Sequence, residues 1–125
     1  MPARKSPSAR SIELMRSRGY TIDGCQRQLT KFLRRDLFGL FDFVAFNPGK
    51  GFVFLQVTDF TSFARHETKW KLSPHLLGLL RTPGCAEFLM HSWKRGLTGD
   101  QFKAHRAVIH QAKVPYVELV EGERK

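Results

Sequence analysis

The most constraining stretch of the chain runs from Leu40 to Thr58. Two apolar segments, Leu40–Phe46 and Phe52–Val57, flank Asn47-Pro48-Gly49-Lys50-Gly51. Asn, Pro and Gly at this density reverse a chain, and the β-branched and aromatic residues on either side suit strands. A tight hairpin is therefore expected. Side chains alternate faces along a strand. Val53, Leu55 and Val57 would share a face directed into a core, while Gln56 and Thr58 share the other. Asp42 opens the antiparallel partner strand and falls across from the end of the second strand. One end of the hairpin thus gathers Asp42, Gln56 and Thr58 in strands that are otherwise apolar. Strand ends are ordinarily polar, and spacing alone favours that plain explanation over a functional cluster.

The surrounding elements set this hairpin in a larger sheet. Ser8 is a candidate cap for a helix over Arg10–Arg18, with Gly19 in the left-handed position just beyond it. Tyr20–Arg27 reads as a strand interrupted by Gly24. Leu29–Phe38 fits two descriptions, since Leu29, Leu33 and Leu37 recur at helical spacing. The same segment also reads as a long hairpin arm that turns at Asp36–Gly39. Helices are expected over Thr61–Leu72 and from Ser73-Pro74 to about Leu80, ended by Pro83-Gly84. Cys85–Trp93 reads as a strand and Gly96–Gly99 as a loop. Phe102–Lys113 fits strand or helix, and Tyr116–Val120 reads as a last strand that starts after Pro115. The order predicts an α/β fold with a mixed central β-sheet flanked by helices. At 125 residues, a single domain over 10–120 is expected, between a flexible basic tail at 1–9 and a C-terminal tail at 121–125.

Charge narrows the partner. Twenty-one Lys and Arg against eleven Asp and Glu leave a net charge of +10, which favours a polyanion and nucleic acid before membrane. No apolar run approaches the ~20 residues of a membrane span, and the N-terminus lacks a signal core. The two cysteines, Cys25 and Cys85, sit in no zinc spacing and read as reduced thiols. A cytoplasmic location is the expectation. His66, His75, His91, His105 and His110 show no HExxH or other zinc spacing, and the glycines around Gly49 form no phosphate-binding loop. No RRM or KH signature points to an RNA module. Trp70 and Trp93 suit core packing better than base stacking.

A helix bearing Glu13, a strand, Asp42 on a short apolar strand and a hairpin leading into Gln56-Val57-Thr58 together resemble the PD-(D/E)XK, or restriction-endonuclease-like, nucleases. The likeness is nearest to archaeal-type Holliday junction resolvases and small phage or prophage nucleases, and covers roughly residues 10–72. It implies a metal-dependent endonuclease that hydrolyses DNA, on branched DNA in the resolvase case, as a two-fold homodimer. It also implies catalytic roles for Asp42, Gln56, Thr58 and Glu13, with Mg²⁺ or Mn²⁺ held by Asp42 and Gln56. The chain departs from the motif twice. Gln56 replaces a carboxylate and brings no charge. Thr58 replaces the Lys that offsets developing charge, and it cannot supply a cation. Lys69 and Arg65, one turn apart on the following helix, are the candidate replacements, with Lys71 behind them. Asp36 is a candidate extra metal ligand, or else a residue that caps its turn or pairs with Arg35. Arg27, Lys31, Arg34, Arg35, Arg65, Lys69 and Lys71 are the expected phosphate contacts. The rival expectation is a catalytically degenerate nuclease fold that binds DNA or a protein partner.

Overall fold

The computed structural model of the chain describes residues 5–84, 86–95 and 99–122. Helix α1 (Pro7–Ser17) is followed by strand β1 (Thr21–Gly24) and two short strands, β2 (Arg27–Gln28) and β3 (Arg34–Arg35). Strands β4 (Phe43–Asn47) and β5 (Gly51–Asp59) form the central hairpin. Helices α2 (Phe63–Leu72) and α3 (Pro74–Arg81) lead to strands β6 (Ala86–Lys94), β7 (Gln101–His110) and β8 (Tyr116–Glu121). The six long strands make one sheet in the order β1-β4-β5-β6-β7-β8, while β2 and β3 pair only with each other. All neighbours are antiparallel except β5 and β6, which run parallel. A parallel pair needs a crossover, and α2 with α3 provide it. The expected α/β mixed sheet flanked by helices is the observed architecture.

Local chemistry explains most boundaries. Helix α1 starts earlier than expected because Ser6, not Ser8, is its cap: the Ser6 hydroxyl accepts the Ala9 N–H at 3.1 Å. Pro7 then fills the first helical turn, where no N–H is required. Six residues thus precede a helix that begins inside the segment read as a tail. Gly19 takes the expected left-handed conformation, φ 86°. Ser73 caps α3 through Leu76 N–H, and Pro74 opens it. Leu29–Phe38 is a hairpin arm, not a helix. The uncertain 102–113 segment is largely strand β7. The strand read from Cys85 and the loop read over 96–99 begin at residues outside the described ones.

The sheet buries both faces. Helix α1 covers one, where Met15, Ile22, Ala45, Val53, Leu55 and Leu89 form a core. Helices α2 and α3 cover the other, over Leu40, Phe41, Trp70, Leu76, Phe88, Met90, Ala107 and Val117. The second core is aromatic. The Phe41 ring lies 5.5 Å from Phe54, 5.5 Å from Trp70 and 5.6 Å from Phe88. On the α1 face, Ser11 Oγ accepts the Trp93 indole N–H at 2.8 Å and sits 3.0 Å from His91 Nδ1. Burial holds His91 neutral, with its pKa lowered to about 3. No described helix is long and apolar enough to cross a membrane.

The strand alternation can be checked directly. Leu55 is 0% exposed and Phe52 54%. Leu55→Ala is expected to cost about 2–5 kcal/mol as a shift in urea midpoint. Phe52→Ala is expected to cost less, about 1–2 kcal/mol, since about half of its surface stays in water on folding.

Candidate functional site

The site is built around a tight reversal. Leu37 and Phe41 form an antiparallel bridge, with Leu37 N–H to Phe41 O at 2.8 Å and Phe41 N–H to Leu37 O at 3.1 Å. Between them Phe38 and Gly39 both have positive φ, 56° and 71°. Gly39 adopts this freely. Phe38 is a bulky residue in a conformation that costs energy, a kind of strain that clusters at functional sites. Asp36 and Asp42 are the next residues outward on the two arms of this turn. The fold thus sets two carboxylates across from one another.

Each carboxylate is anchored. Asp42 lies just before β4. Its N–H donates to Leu55 O at 3.0 Å, and its carboxylate accepts Val57 N–H at 3.2 and 3.4 Å. Asp36 accepts from two amides, Gln26 Nε2 at 2.6 Å and Gln56 Nε2 at 3.0 Å. The Gln56 carbonyl accepts the Trp70 indole N–H at 3.0 Å, and that N–H also reaches Leu40 O at 3.3 Å. An indole can only donate, so this contact turns the Gln56 oxygen toward Trp70 and the amino group toward Asp36.

The electrostatics follow from burial and proximity. Asp42 is pushed up from 3.8 to about 7, first by burial and further by the Asp36 charge, against the Val57 hydrogen bond that pulls it down. Cys25, beside both carboxylates, is raised to about 11 by burial, then by Asp42 and Asp36. Its thiol stays protonated and donates to Phe41 O at 3.5 Å. Neither Asp36 nor Asp42 forms an ion pair with Lys or Arg among the described residues.

Other expected site residues fall elsewhere or are differently engaged. Gln56 is 3% exposed, and both ends of its amide are occupied by Asp36 and Trp70, not left open for the metal that the resemblance implied. Thr58 is also buried, and its hydroxyl donates to Asp59 O at 3.3 Å. Glu13 sits exposed on α1, paired with Lys5, and that helix packs on the sheet face opposite Gln56 and Trp70. Arg65, Lys69 and Lys71 are exposed on α2. Arg27, Lys31, Arg34 and Arg35 are exposed on the β2–β3 arm. Trp70 is fully buried, as expected, and the half-buried Trp93 bonds Ser11.

Sequence reasoning passed over His66. It lies one helical turn before Trp70, on the α2 face turned to the sheet. Its pKa is lowered by burial and by Arg65 and Lys69, while Asp36 and Asp59 pull it upward. The four-residue interval to a buried Trp was the available signal. A cavity of about 310 Å³ lies beyond the far end of β5, lined by Arg10, Asp59, Trp93, Lys94 and Asp100 among others. The carboxylate pair is not part of it.

No family model, curated protein or solved structure matches this chain. The carboxylate pair and its surroundings therefore carry the functional argument.

The raised Asp42 pKa fixes a pH dependence. The folded state keeps a proton that the unfolded chain releases near 3.8. Stability from this group is complete below that pH and is lost as pH rises toward about 7. Asp42→Asn is expected to flatten the fall in thermal midpoint over this window and to be the more stable protein at pH 8. An unchanged slope would show that Asp42 ionises normally.

Proposed function

We propose that this chain is a metal-dependent endonuclease of restriction-endonuclease-like fold that hydrolyses phosphodiester bonds in DNA, with branched DNA as the candidate substrate in the resolvase-like case. One observation carries the reading: Asp36 and Asp42 flank a two-positive-φ turn close enough for the Asp36 charge to act on Asp42, with no Lys or Arg paired to either among the described residues. Opposed carboxylates repel, and folds keep such pairs where a proton or a metal ion is shared. The order of helix, three main-sheet strands, helices and parallel strand, with Asp42 at the head of the hairpin, supports the same assignment. So does the net charge of +10.

The residues fit a hard divalent cation in part. No group of three or more His, Cys, Asp or Glu side chains converges as a metal cage among the described residues. Mg²⁺ typically needs only one or two carboxylates and completes its shell with water and substrate phosphate. Asp42 and Asp36 would hold it. When bound, it would supply charge stabilisation at a phosphoryl oxygen and a lowered pKa for water. Gln56 and Gln26 orient Asp36 by donating to its two oxygens. Trp70 in turn fixes Gln56. Val57 N–H fixes Asp42. Arg27, Arg34, Arg35 and the α2 cations Arg65, Lys69 and Lys71 would hold flanking phosphates.

A second reading has its own support. The Gln56 oxygen is taken by Trp70, and Thr58 supplies no cation. Both facts favour a nuclease fold that binds DNA without cutting it. Incubation with supercoiled plasmid and with a four-way junction, in Mg²⁺ or Mn²⁺, separates the two. The enzyme reading expects nicking that EDTA abolishes and that Asp42→Ala lowers by about 100-fold or more. Salt-sensitive binding without any cleavage in either metal would establish the rival.

Metal occupancy gives an independent check. At pH 7.5, millimolar Mn²⁺ is expected to raise the thermal midpoint of the wild-type chain and leave the Asp36→Asn, Asp42→Asn double variant unmoved. Equal shifts in both proteins would place the ion elsewhere.

A further inference from the structure

The β2–β3 arm stands apart from the main sheet and is built unlike the rest of the surface. Its strands pair Arg27 with Arg35 and Gln28 with Arg34. Two arginines directly across an antiparallel ladder repel one another and weaken the hairpin. From Arg27 to Arg35 the arm carries Arg27, Lys31, Arg34 and Arg35 and no acidic residue. A dense anion outside the chain would offset that repulsion.

The tip is apolar and ordered by its own hydrogen bonds. Thr30 Oγ1 accepts the N–H groups of Phe32 at 3.3 Å and Leu33 at 3.0 Å. Leu29 and Thr30 N–H both donate to Leu33 O, at 2.9 and 3.2 Å. This turn holds Phe32 outward with 90% of its surface exposed, beside the exposed Leu29 and Leu33. Lys31 Nζ lies 5.7 Å from the Phe32 ring centre. An aromatic ring held in water by a preformed turn buries nothing within the chain, so it marks a contact surface.

The root of the arm is tied to the carboxylate pair. Gln26, next to β2, bonds Asp36, next to β3. Cys25 N–H donates to Asp42 O at 3.0 Å. Whatever the arm grips is therefore held beside Asp36 and Asp42.

We propose that the arm is a DNA wedge: Arg27, Arg34 and Arg35 grip phosphates, and Phe32 at the tip enters the base stack and opens a step, while the root of the arm lies beside the carboxylate pair. Apolar side chains inserted between base steps unstack and kink duplexes, at a cost that is least where stacking is already broken. This rests only on the DNA-binding part of the function proposed above and is indifferent to whether the chain cuts. A membrane surface would also accept an apolar tip ringed by cations. The attachment of the arm to a carboxylate pair suited to phosphate chemistry favours DNA.

The test uses the full chain in EDTA, so that cleavage plays no part. Four-way junction and linear duplex carry 2-aminopurine, whose fluorescence rises on unstacking. Wild type is expected to brighten the junction probe. Phe32→Ala is expected to reduce that rise about five-fold or more while binding uniform duplex within about three-fold of wild type, and Phe32→Trp is expected to restore it. Arg34→Ala with Arg35→Ala is expected to weaken all DNA binding and to lower the log–log salt slope by about 1.8. Because Phe32 is exposed, its replacement leaves the fold intact, which a thermal midpoint confirms. An undiminished fluorescence rise in Phe32→Ala overturns the wedge. So does a Phe32→Ala defect seen with anionic phosphatidylserine vesicles, or in the dimer–monomer equilibrium, but not with DNA. Failure of the wild type to bind either DNA would sink the proposed function along with the wedge. Intact DNA binding with unaltered unstacking in Phe32→Ala would sink the wedge alone.

Discussion

The hydrogen bond from the Trp70 indole to the Gln56 carbonyl ties the two halves of this fold together. It joins the crossover helix to the central strand in a place water does not reach. Without Trp70 the buried Gln56 oxygen would lose the donor it bonds, a loss that typically costs about 1–3 kcal/mol, whereas without Gln56 the indole would keep only its longer bond to Leu40 O. Because the indole cannot accept, the direction of the amide is fixed, and its amino group is presented to Asp36. A contact inside the core thus decides how a surface carboxylate is held. The Phe41 ring against Trp70 and Phe54 keeps the same helix at the same height over the sheet.

The carboxylate pair is the product of two local devices placed side by side. The Leu37–Phe41 turn brings Asp36 and Asp42 across from each other over a distance of only six residues in sequence. Sheet pairing then buries Asp42 against β5, where its carboxylate takes a backbone N–H and loses most of its water. Burial and a like charge both favour the protonated acid, and together they outweigh one long hydrogen bond. The strained Phe38 conformation is the cost of closing so tight a turn, and the bridge hydrogen bonds on either side hold it closed.

The two faces of the molecule divide the work. On the α1 side, the buried Ser11 and His91 and the half-buried Trp93 form a network that links the helix to β6. On the α2 side, the aromatic core supports Gln56 and, through it, Asp36. Exposed cations stand on α2 (Arg65, Lys69, Lys71) and on the arm (Arg27, Lys31, Arg34, Arg35). A polyanion drawn in by the field of the chain would meet the acidic groups only once it is close, where a divalent ion would let phosphate approach them.

Much of this was written in local sequence. Alternation in Phe52–Val57 and the Asn-Pro-Gly-Lys-Gly turn specify the central hairpin, because residues close in sequence make its contacts. Ser73-Pro74 and Gly19 mark helix ends by their own backbone chemistry. The sharing of a face by Gln56 and Thr58 follows from the period of a strand. What Gln56 does with its amide does not, since that depends on Trp70, a donor fourteen positions away whose arrival is set by the packing of α2. The same holds for His66, which nears Asp36 only when the helix docks, and for Glu13, whose helix the sheet twist and core place on the far face. The Asp36–Asp42 pairing was half legible: the residues for a turn were visible, but the choice between helix and hairpin over 29–38 was not. Leucines at helical spacing argued for a helix, and the turn at Leu37–Phe41, with the pairing of Arg27–Gln28 to Arg34–Arg35, decided against it. Local sequence determined most of the elements, and only long-range packing decided the two ambiguous segments and which polar groups were left free to act, because burial and hydrogen-bond partners belong to neighbours that the chain order does not reveal.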